Sequence, residues 1–327
     1  MAPKLRFSAN INTFNAAADR YVLDGYGKRL TSDELIREAT KVEDLTGVEV
    51  VGKWHVNDEN VDKLNRQIRD AGFEVTCVTP DIWASGKWGW GSFASPDPQV
   101  RRDAVHEVKK SMEWAKQMNC KVVDLWFGQD GYDYPLQGNF LAAWDLITEL
   151  TIECAEHVPE VNLVIEYKPK EPRTHCYIGT VGKTLLLVQK VNKPNVGAMI
   201  DVGHALEGYE NPAESAALLH YFGDKLYYMH FNDNWRLWDD DMTAGSVHQL
   251  ELFETLYWLD RLNYTGWYAL DIFPYRENGV RAANESIKWI KALYGLLDKI
   301  GRDRINEVIA NGDAMGAQAL FREGLFG

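Results

Sequence analysis

The feature that most constrains the fold is a regular alternation of short apolar runs with longer segments of helical spacing. Eight runs rich in β-branched or aromatic residues lie at residues 5–9, 48–51, 74–79, 121–126, 162–168, 196–201, 226–231 and 267–273. Eight segments with apolar residues at helical intervals lie at residues 32–44, 59–72, 97–119, 140–158, 181–192, 212–223, 246–262 and 281–300. Strands and helices that alternate in this way predict an α/β fold, a closed parallel (β/α)8 TIM barrel.

The length of the chain is compatible with one such barrel. We expect a single catalytic domain over residues 1–300 and a short C-terminal helical extension over residues 301–327. An open, doubly wound parallel sheet is the structural alternative. It is less favoured because no G-x-G-x-x-G motif follows the first apolar run.

Charge and hydropathy exclude several classes of partner. The formal net charge is −13, which disfavours nucleic acid and anionic membrane surfaces, because both bind clustered Lys and Arg. The N-terminal sequence has no apolar signal-peptide core, and no run approaches the roughly 18 apolar residues of a spanning helix. We expect a cytoplasmic protein that binds neither nucleic acid nor membrane.

Charged side chains end four successive apolar runs in the second half of the chain. Glu166 and Lys168 end the fifth run, Asp201 the sixth, His230 the seventh, and Asp271 lies in the eighth. In a parallel barrel these strand ends meet at one face. Each residue alone has an ordinary alternative, such as a helix cap or a core histidine. Three carboxylates and an imidazole together would repel unless a divalent cation bound them, and such donors suit Mg²⁺, Mn²⁺ or Co²⁺.

A second group of possible ligands lies beside the first. Asp201 and His204 are three residues apart, and Asp239, Asp240 and Asp241 follow the seventh run. A solvated acidic loop is the simpler interpretation of the three aspartates. The more specific hypothesis is a second metal that shares Asp201 with the first, so that two metals would polarise neighbouring oxygens of one substrate.

Aromatic residues near the same face favour a carbohydrate ligand. The sequence contains 12 tryptophans, and several fall in or near the predicted loops after strands: Trp54, Trp83, Trp88, Trp90, Trp126, Trp235 and Trp238. Flat aromatic faces can bury the apolar C–H side of a sugar ring. The alternative is that these residues fill core gaps or form subunit contacts.

These motifs resemble a known family. The segment EYKPKEPR at residues 166–173, then IDVGHALEG, a His-x-Asn and an Asp-x-Asp, is similar to the xylose isomerase and L-rhamnose isomerase superfamily. The resemblance implies one metal quartet of Glu166, Asp201, His230 and Asp271, and a second set of Asp201, His204, Asp239 and Asp241. It also implies that Lys168 holds a sugar carbonyl oxygen, that His55 assists ring opening, and that Trp126 forms an aromatic wall of the sugar pocket. We add Trp54 and His204 as candidate substrate contacts.

The sequence departs from the xylose isomerase pattern at two positions. Asp201 stands where that enzyme has Glu, and Asn232 stands where it has Asp. The chain also lacks the long C-terminal arm that wraps the neighbouring subunit, so the usual tetramer is not implied. The same barrel serves ketose epimerases, which typically have Glu where this chain has Asp271. It also serves the DNA-binding endonuclease IV, which the acidic charge disfavours.

The leading functional hypothesis is an aldose–ketose isomerase that depends on Mn²⁺, or on Mg²⁺ or Co²⁺, with His55, Lys168 and Asp241 as catalytic residues. A hydride shift and a cis-enediol route both remain open. A lyase or epimerase acting beside a carbonyl, of the C-glycoside deglycosidase large-subunit type, is the second hypothesis, and an inactive sugar-binding barrel is the third. The expected partners are a small carbohydrate and further copies of the chain, with a second small subunit as an alternative.

Overall fold

A computed structural model describes residues 5–327, and in it eight parallel strands close into a barrel, which confirms the predicted (β/α)8 TIM barrel. The strands are β1 (Phe7–Asn10), β2 (Leu45–Val51), β3 (Glu74–Thr79), β4 (Val122–Trp126), β5 (Gly131–Tyr132), β6 (Asn162–Glu166), β7 (His175–Cys176), β8 (Val196–Asp201), β9 (Leu226–Phe231) and β10 (Tyr268–Leu270). The barrel order is β1-β10-β9-β8-β6-β4-β3-β2, and β5 pairs with β7 outside it. The first four residues of the predicted domain lie outside the described residues.

Helices follow the barrel strands and cover them. They are α1 (Ser32–Ala39), α2 (Val61–Asp70), α3 (Pro98–Gln117), α4 (Phe140–Ala155), α5 (Val181–Val191), α6 (Val202–Glu207), α7 (Pro212–Tyr221), α8 (Gln249–Arg261), α9 (Gly279–Ile300), α10 (Arg302–Ala310) and α11 (Ala314–Phe326). Seven of the eight predicted helical segments contain one of these helices, and α9 begins two residues before the eighth segment, at Gly279. The short α6 was not predicted, and α10 and α11 lie within residues 301–327.

Local sequence explains where several helices begin. Thr31 caps α1 in a capping box with Glu34, in which each side chain bonds the other residue's backbone N–H. Asp97 caps α3, and Pro98 occupies the first helical position, where a missing N–H costs nothing. The predicted helix over residues 32–44 ends early, at Ala39, and Asp44 then adopts a left-handed φ of 61° just before β2.

The strand register brings the predicted polar residues to one face of the barrel. Trp126 of β4 pairs with Glu166 of β6, and Asp201 of β8 pairs with His230 of β9. Parallel strands in this register end at the same level, so their final side chains lie around one mouth.

The small β5–β7 pair ties together the loops that follow β4 and β6. Gly131 pairs with Cys176, and a Cβ built on Gly131 would lie only 2.0 Å from the carbonyl oxygen of His175. Glycine is therefore required here, because the two backbones approach too closely for any side chain.

The C-terminal extension packs against the outer helices of the barrel. The ring of Phe321 in α11 lies 5.1 Å from that of Phe253 in α8, and Arg302 binds both carboxyl oxygens of Asp260 at 2.5 and 3.1 Å. All four cysteines are buried free thiols, as the apolar surroundings of three of them predict. Within residues 5–327, no helix combines the length and the apolar character needed to cross a bilayer.

Candidate active site

Four side chains at the carboxyl ends of consecutive barrel strands form one compact group of metal-ligating atoms. They come from Glu166, Asp201, His230 and Asp271, and one ligand atom from each lies within 4.8 Å of the others. His230 Nδ1 is 3.1 Å from Glu166 Oε1, and 3.8 Å from both Asp201 Oδ2 and Asp271 Oδ2. Among residues 5–327, no other group of three or more His, Cys, Asp or Glu residues converges in this way.

Burial and neighbouring charges together set the pKa values of the quartet. Burial raises the pKa of Asp271 to about 8 although His230 acts in the opposite direction, and raises the pKa of Asp201 to about 6 although His204 opposes it. Burial would lower the pKa of His230, but Glu49, Glu166 and Asp271 outweigh it and raise that pKa well above its ordinary value. The carboxylates are therefore crowded enough to share protons when nothing else neutralises them.

The donor chemistry of the quartet fits a divalent cation. Three carboxyl groups and one imidazole supply the oxygen-rich set that Mg²⁺, Mn²⁺ and Co²⁺ prefer. Asp271 Oδ1 is buried and has no hydrogen-bond partner, so it is an acceptor without a donor. A cation would satisfy both this orphaned oxygen and the crowded charges.

A buried lysine lies beside the quartet. Lys168 Nζ is 2.6 Å from Asp239 Oδ2, and the same oxygen is 3.1 Å from His204 Nε2. Burial alone would lower the pKa of Lys168, but Asp239 and Asp241 outweigh it and raise that pKa above its ordinary value. Burial likewise opposes a charge on His204, yet Asp201 and Asp239 raise its pKa to about 9. Both groups therefore hold positive charge near neutral pH.

The second predicted ligand set does not gather as tightly as the quartet. His204 Nδ1 donates to the carbonyl oxygen of Tyr167 at 3.1 Å and lies 4.0 Å from Asp201 Oδ1. Asp239 is engaged by Lys168 and His204, whereas its other oxygen has no hydrogen-bond partner. A metal at this position would have to compete with the Lys168 ammonium group for Asp239.

The quartet and the neighbouring group of Lys168, His204 and Asp239 both border one cavity of about 210 Å³. Its polar lining includes three members of the quartet, Glu166, His230 and Asp271, together with Lys168, His204, Asp239 and Asp241, and its aromatic lining is Trp54, Trp83, Trp126 and Phe273. The three indoles form a continuous wall, with ring centroids 5.8 Å apart for Trp54–Trp83 and 5.3 Å apart for Trp83–Trp126. The structure therefore places the predicted contacts Trp54, Trp126, Lys168 and His204 around the same space.

Not every predicted tryptophan faces the cavity. Trp88 is buried elsewhere, and Trp90 and Trp235 are 69% and 64% exposed. Trp238 lies under Arg20, whose guanidinium carbon is 5.2 Å from the indole centroid. Of these four residues, the buried Trp88 matches the alternative interpretation, in which tryptophans fill core gaps.

His55 lies behind the cavity wall rather than in it. The Val51 N–H donates to His55 Nδ1 at 2.9 Å, and His55 Nε2 is 3.2 Å from Asn12 Oδ1. Burial lowers the pKa of His55 to about 4, so the ring is neutral and carries its proton on Nε2. Asn12 itself lines the cavity, so His55 reaches that space only through Asn12.

Two buried carboxyl groups near the quartet escaped the sequence reasoning. Glu49 is 1% exposed and lies 3.1 Å from His230, and Asp124 is 2% exposed and lines the cavity. Both stand in the middle of apolar strand runs rather than at strand ends. The sequence does carry a signal for them, since an acid flanked by apolar residues in a buried strand needs a compensating partner.

Asn232 bonds Asp201 directly and is itself held by the Gly203 backbone. Its Oδ1 accepts from the Gly203 N–H at 2.6 Å, and its Nδ2 donates to Asp201 Oδ2 at 2.8 Å. A Cβ added at Gly203 would lie 2.7 Å from Asn232 Oδ1, so the amide would have to move.

We therefore expect Gly203→Ala to weaken Mn²⁺ binding by about 10-fold, as when a residue that orients a ligand is displaced. The measurement is an Mn²⁺ titration by isothermal calorimetry. Gly182→Ala is the matched control, because its nearest neighbouring atom would be 4.0 Å away. Equal weakening in both variants would contradict the role assigned to Asn232.

Comparisons with known proteins agree with this architecture. The xylose isomerase of Thermus thermophilus is 24% identical over 250 residues, which cover 75% of this chain but only 61% of that protein. The xylose isomerase of Thermus caldophilus is 24% identical over 214 residues, or 64% of this chain and 55% of that protein. The chain therefore spans less than two thirds of the length of these relatives.

Several solved structures share the fold. A D-tagatose 3-epimerase-like protein has a TM-score of 0.67 and 19% identity, covering 90% of this chain and 98% of the other. The 3-keto-D-glucoside 4-epimerase of E. coli has a TM-score of 0.66 and 16% identity, covering 88% and 100%. An L-ribulose 3-epimerase has a TM-score of 0.70 and 12% identity, covering 93% and 98%.

A family model described as the xylose isomerase-like TIM barrel matches residues 37–293. This match includes every barrel strand from β2 to β10 and all four residues of the quartet. The chain therefore belongs to the xylose isomerase-like TIM barrel family.

Proposed function

We propose that this protein is a divalent-cation-dependent sugar isomerase that interconverts an aldose and a ketose. The observation that carries the proposal is the convergence of three quartet residues, Lys168 and an aromatic wall on one cavity of about 210 Å³. The names of the similar proteins, xylose isomerase and several sugar epimerases, support a carbohydrate substrate.

In this proposal Glu166, Asp201, His230 and Asp271 hold the cation, with Mn²⁺ as the first choice and Mg²⁺ or Co²⁺ as alternatives. A second cation, held by Asp201, His204, Asp239 and Asp241, is the less supported part of the proposal because Lys168 already contacts Asp239. When bound, the cation supplies Lewis-acid polarisation of sugar oxygens.

Lys168 would hold the sugar oxygen on which negative charge develops. Its ammonium group is buried, lines the cavity and lies 5.5 Å from the centre of the Trp126 ring. A preorganised positive charge in a site of low dielectric stabilises such an oxygen far more than water does. Asp239 keeps the ammonium in position before the substrate arrives.

Asp241 is suited to exchange a proton with a sugar hydroxyl group. It lines the cavity, and its backbone oxygen accepts from the Phe273 N–H at 3.0 Å, which fixes the loop after β9 against that after β10. Burial, with Asp239 and Asp271 nearby, raises the pKa of Asp241 well above its ordinary value. A carboxyl group in contact with the substrate space can act as acid and base in one cycle when its pKa is raised above the ordinary value.

His55 has a narrower role than a free base would have. Its Nδ1 already accepts a backbone hydrogen bond, so it can only donate, from Nε2 to Asn12. Assistance to ring opening would therefore pass through the Asn12 amide. The aromatic wall, in turn, would cover the C–H face of the sugar and exclude water from it.

An epimerase or lyase that acts beside the carbonyl of an oxidised sugar is the second candidate. The observation that favours it is size: this chain covers 98–100% of three epimerase or epimerase-like structures but 61% of a xylose isomerase. Both reactions need a held carbonyl oxygen and a proton acceptor beside it. The exposed Trp90 and Trp235 are compatible with contact to a further copy of the chain or a small subunit.

A substrate panel tests the proposal. The protein is loaded with Mn²⁺ and incubated with free aldoses, free ketoses, their phosphate esters and a 3-oxo-glycoside, and products are identified by chromatography. We expect aldose–ketose conversion of neutral sugars. Phosphate esters should react at least about 10-fold less efficiently, because the lining has one lysine, no arginine and five carboxyl groups: Asp124, Glu166, Asp239, Asp241 and Asp271.

The other outcomes are equally informative. Epimerised ketoses, or cleavage of the 3-oxo-glycoside without any isomerisation, would replace the first candidate by the second. Binding of sugars with no turnover of any compound would leave an inactive sugar-binding barrel.

A further inference from the structure

Glu49 is a buried acid in the interior of the barrel, on β2, far along the chain from the quartet. It is 1% exposed and pairs in register with Asn10 of β1. The pairing of β2 with β3 shifts between Val48 and Glu49, so the strand is irregular at this residue. Such irregularities occur next to functional sites, where they redirect a side chain.

The carboxyl group of Glu49 faces the back of the His230 ring. Glu49 Oε2 is 3.1 Å from His230 Nε2, whereas the opposite ring nitrogen, Nδ1, is 3.1 Å from Glu166 Oε1. The imidazole thus stands between two carboxyl groups, one inside the quartet and one outside it. Glu49 is not part of the converging group of donors.

Glu49 is itself held from behind. The Tyr228 hydroxyl donates to Glu49 Oε1 at 2.7 Å and lies 2.9 Å from Thr76 Oγ1. Thr76 Oγ1 is in turn 2.6 Å from Ser8 Oγ. This chain of buried hydroxyl groups fixes the carboxyl group, so Glu49 cannot turn away from His230 without leaving buried partners unsatisfied.

We propose that Glu49 is the positioning residue of the cation centre, an inference that rests on the proposed function. It accepts the Nε2–H of His230, which leaves the lone pair on Nδ1 directed at the quartet and stops the ring from rotating. A histidine that binds a metal commonly donates its other N–H to a carboxylate in this way. The buried hydrogen-bonded series of Ser8, Thr76, Tyr228 and Glu49 would thus support the metal ligand His230 from the barrel interior.

The test compares Mn²⁺ binding in Glu49→Gln and in the unmodified protein, by calorimetric titration, with the melting temperature of the metal-free protein measured alongside. Gln keeps the length of the side chain but loses the carboxylate. We expect the dissociation constant to rise about 10- to 100-fold, the usual effect of removing such a partner. Glu107→Gln is the matched control, since Glu107 is also buried but pairs with Lys53 at 2.5 Å, and its dissociation constant should not change.

Tyr228→Phe provides a second variant if Glu49→Gln does not fold. It removes the hydroxyl that holds Glu49 and keeps the ring, so we expect a smaller rise in the same direction. A lower melting temperature with an unchanged dissociation constant, in whichever variant folds, would overturn the positioning role and leave the cation centre standing. Failure of the unmodified protein to bind Mn²⁺ would overturn the cation centre itself, and this inference with it.

Discussion

Glu166→Gln is expected to abolish tight Mn²⁺ binding and, with it, the proposed isomerase activity. Glu166 is 5% exposed and supplies the oxygen nearest to His230 Nδ1, at 3.1 Å. Replacing a carboxylate ligand by a neutral amide removes charge from the centre itself. The dissociation constant should therefore rise by more than the about 10- to 100-fold seen when only an orienting residue is lost.

Metal content and thermal stability both measure this effect. After dialysis, elemental analysis should find Mn²⁺ in the unmodified protein and none in Glu166→Gln. A cation present at 100 times its dissociation constant should stabilise the unmodified protein by about 2.7 kcal/mol, and the variant should gain nothing at that concentration. Glu107→Gln again controls for the loss of a buried carboxyl group. If Glu166→Gln retained Mn²⁺ and activity, the quartet would not be the cation site.

Lys168→Gln is expected to lower kcat by about 100- to 1,000-fold while leaving Mn²⁺ bound, because the side chain would stabilise charge that develops only during the reaction. The same change removes the ammonium group that lies 2.6 Å from Asp239, so some loss of folding stability is also expected. The measurements are steady-state kinetics with the sugar found in the substrate panel, and Mn²⁺ content of the same preparation.

Lys170→Gln is a suitable comparison for this second variant. Lys170 lies two residues along the same segment, but its ammonium donates to the Leu237 carbonyl at 2.7 Å and does not line the cavity. The kcat of Lys170→Gln should stay close to that of the unmodified protein. Equal losses in both lysine variants, or an unchanged kcat in Lys168→Gln, would show that Lys168 has no special part in the chemistry.

The barrel could be predicted from the sequence because its strands are buried on both faces and read as unbroken apolar runs. The exact ends of strands and helices are harder to predict from the sequence. The run at 267–273 predicts a long last strand, but β10 ends at Leu270, since Phe273 bonds the loop after β9 instead. The short α6 was missed because Asp201, a strand-end residue, also caps it by accepting from the His204 N–H at 2.8 Å.

The site was partly predictable for a related reason. A rule that looks at strand ends identifies Glu166, Asp201, His230 and Asp271, which the structure brings together. The same rule cannot find Glu49 or Asp124, which lie one layer deeper in the barrel. The rule also cannot show that Lys168 binds Asp239 or that His55 lies behind Asn12. Both contacts depend on the directions of side chains that come from segments distant in sequence.

The two sides of the cavity are encoded in two separate stretches of the chain. The tryptophan wall comes from the loops after β2 and β3 and from the end of β4, whereas the acidic donors come from β6 onward. Mutations of these three tryptophans can therefore change which ligand fits while leaving the acidic donors from β6 onward unaltered. A laboratory chimera could therefore exchange the loops after β2 and β3 to alter substrate preference, provided that it keeps Glu49, Thr76 and Asp124 on β2, β3 and β4.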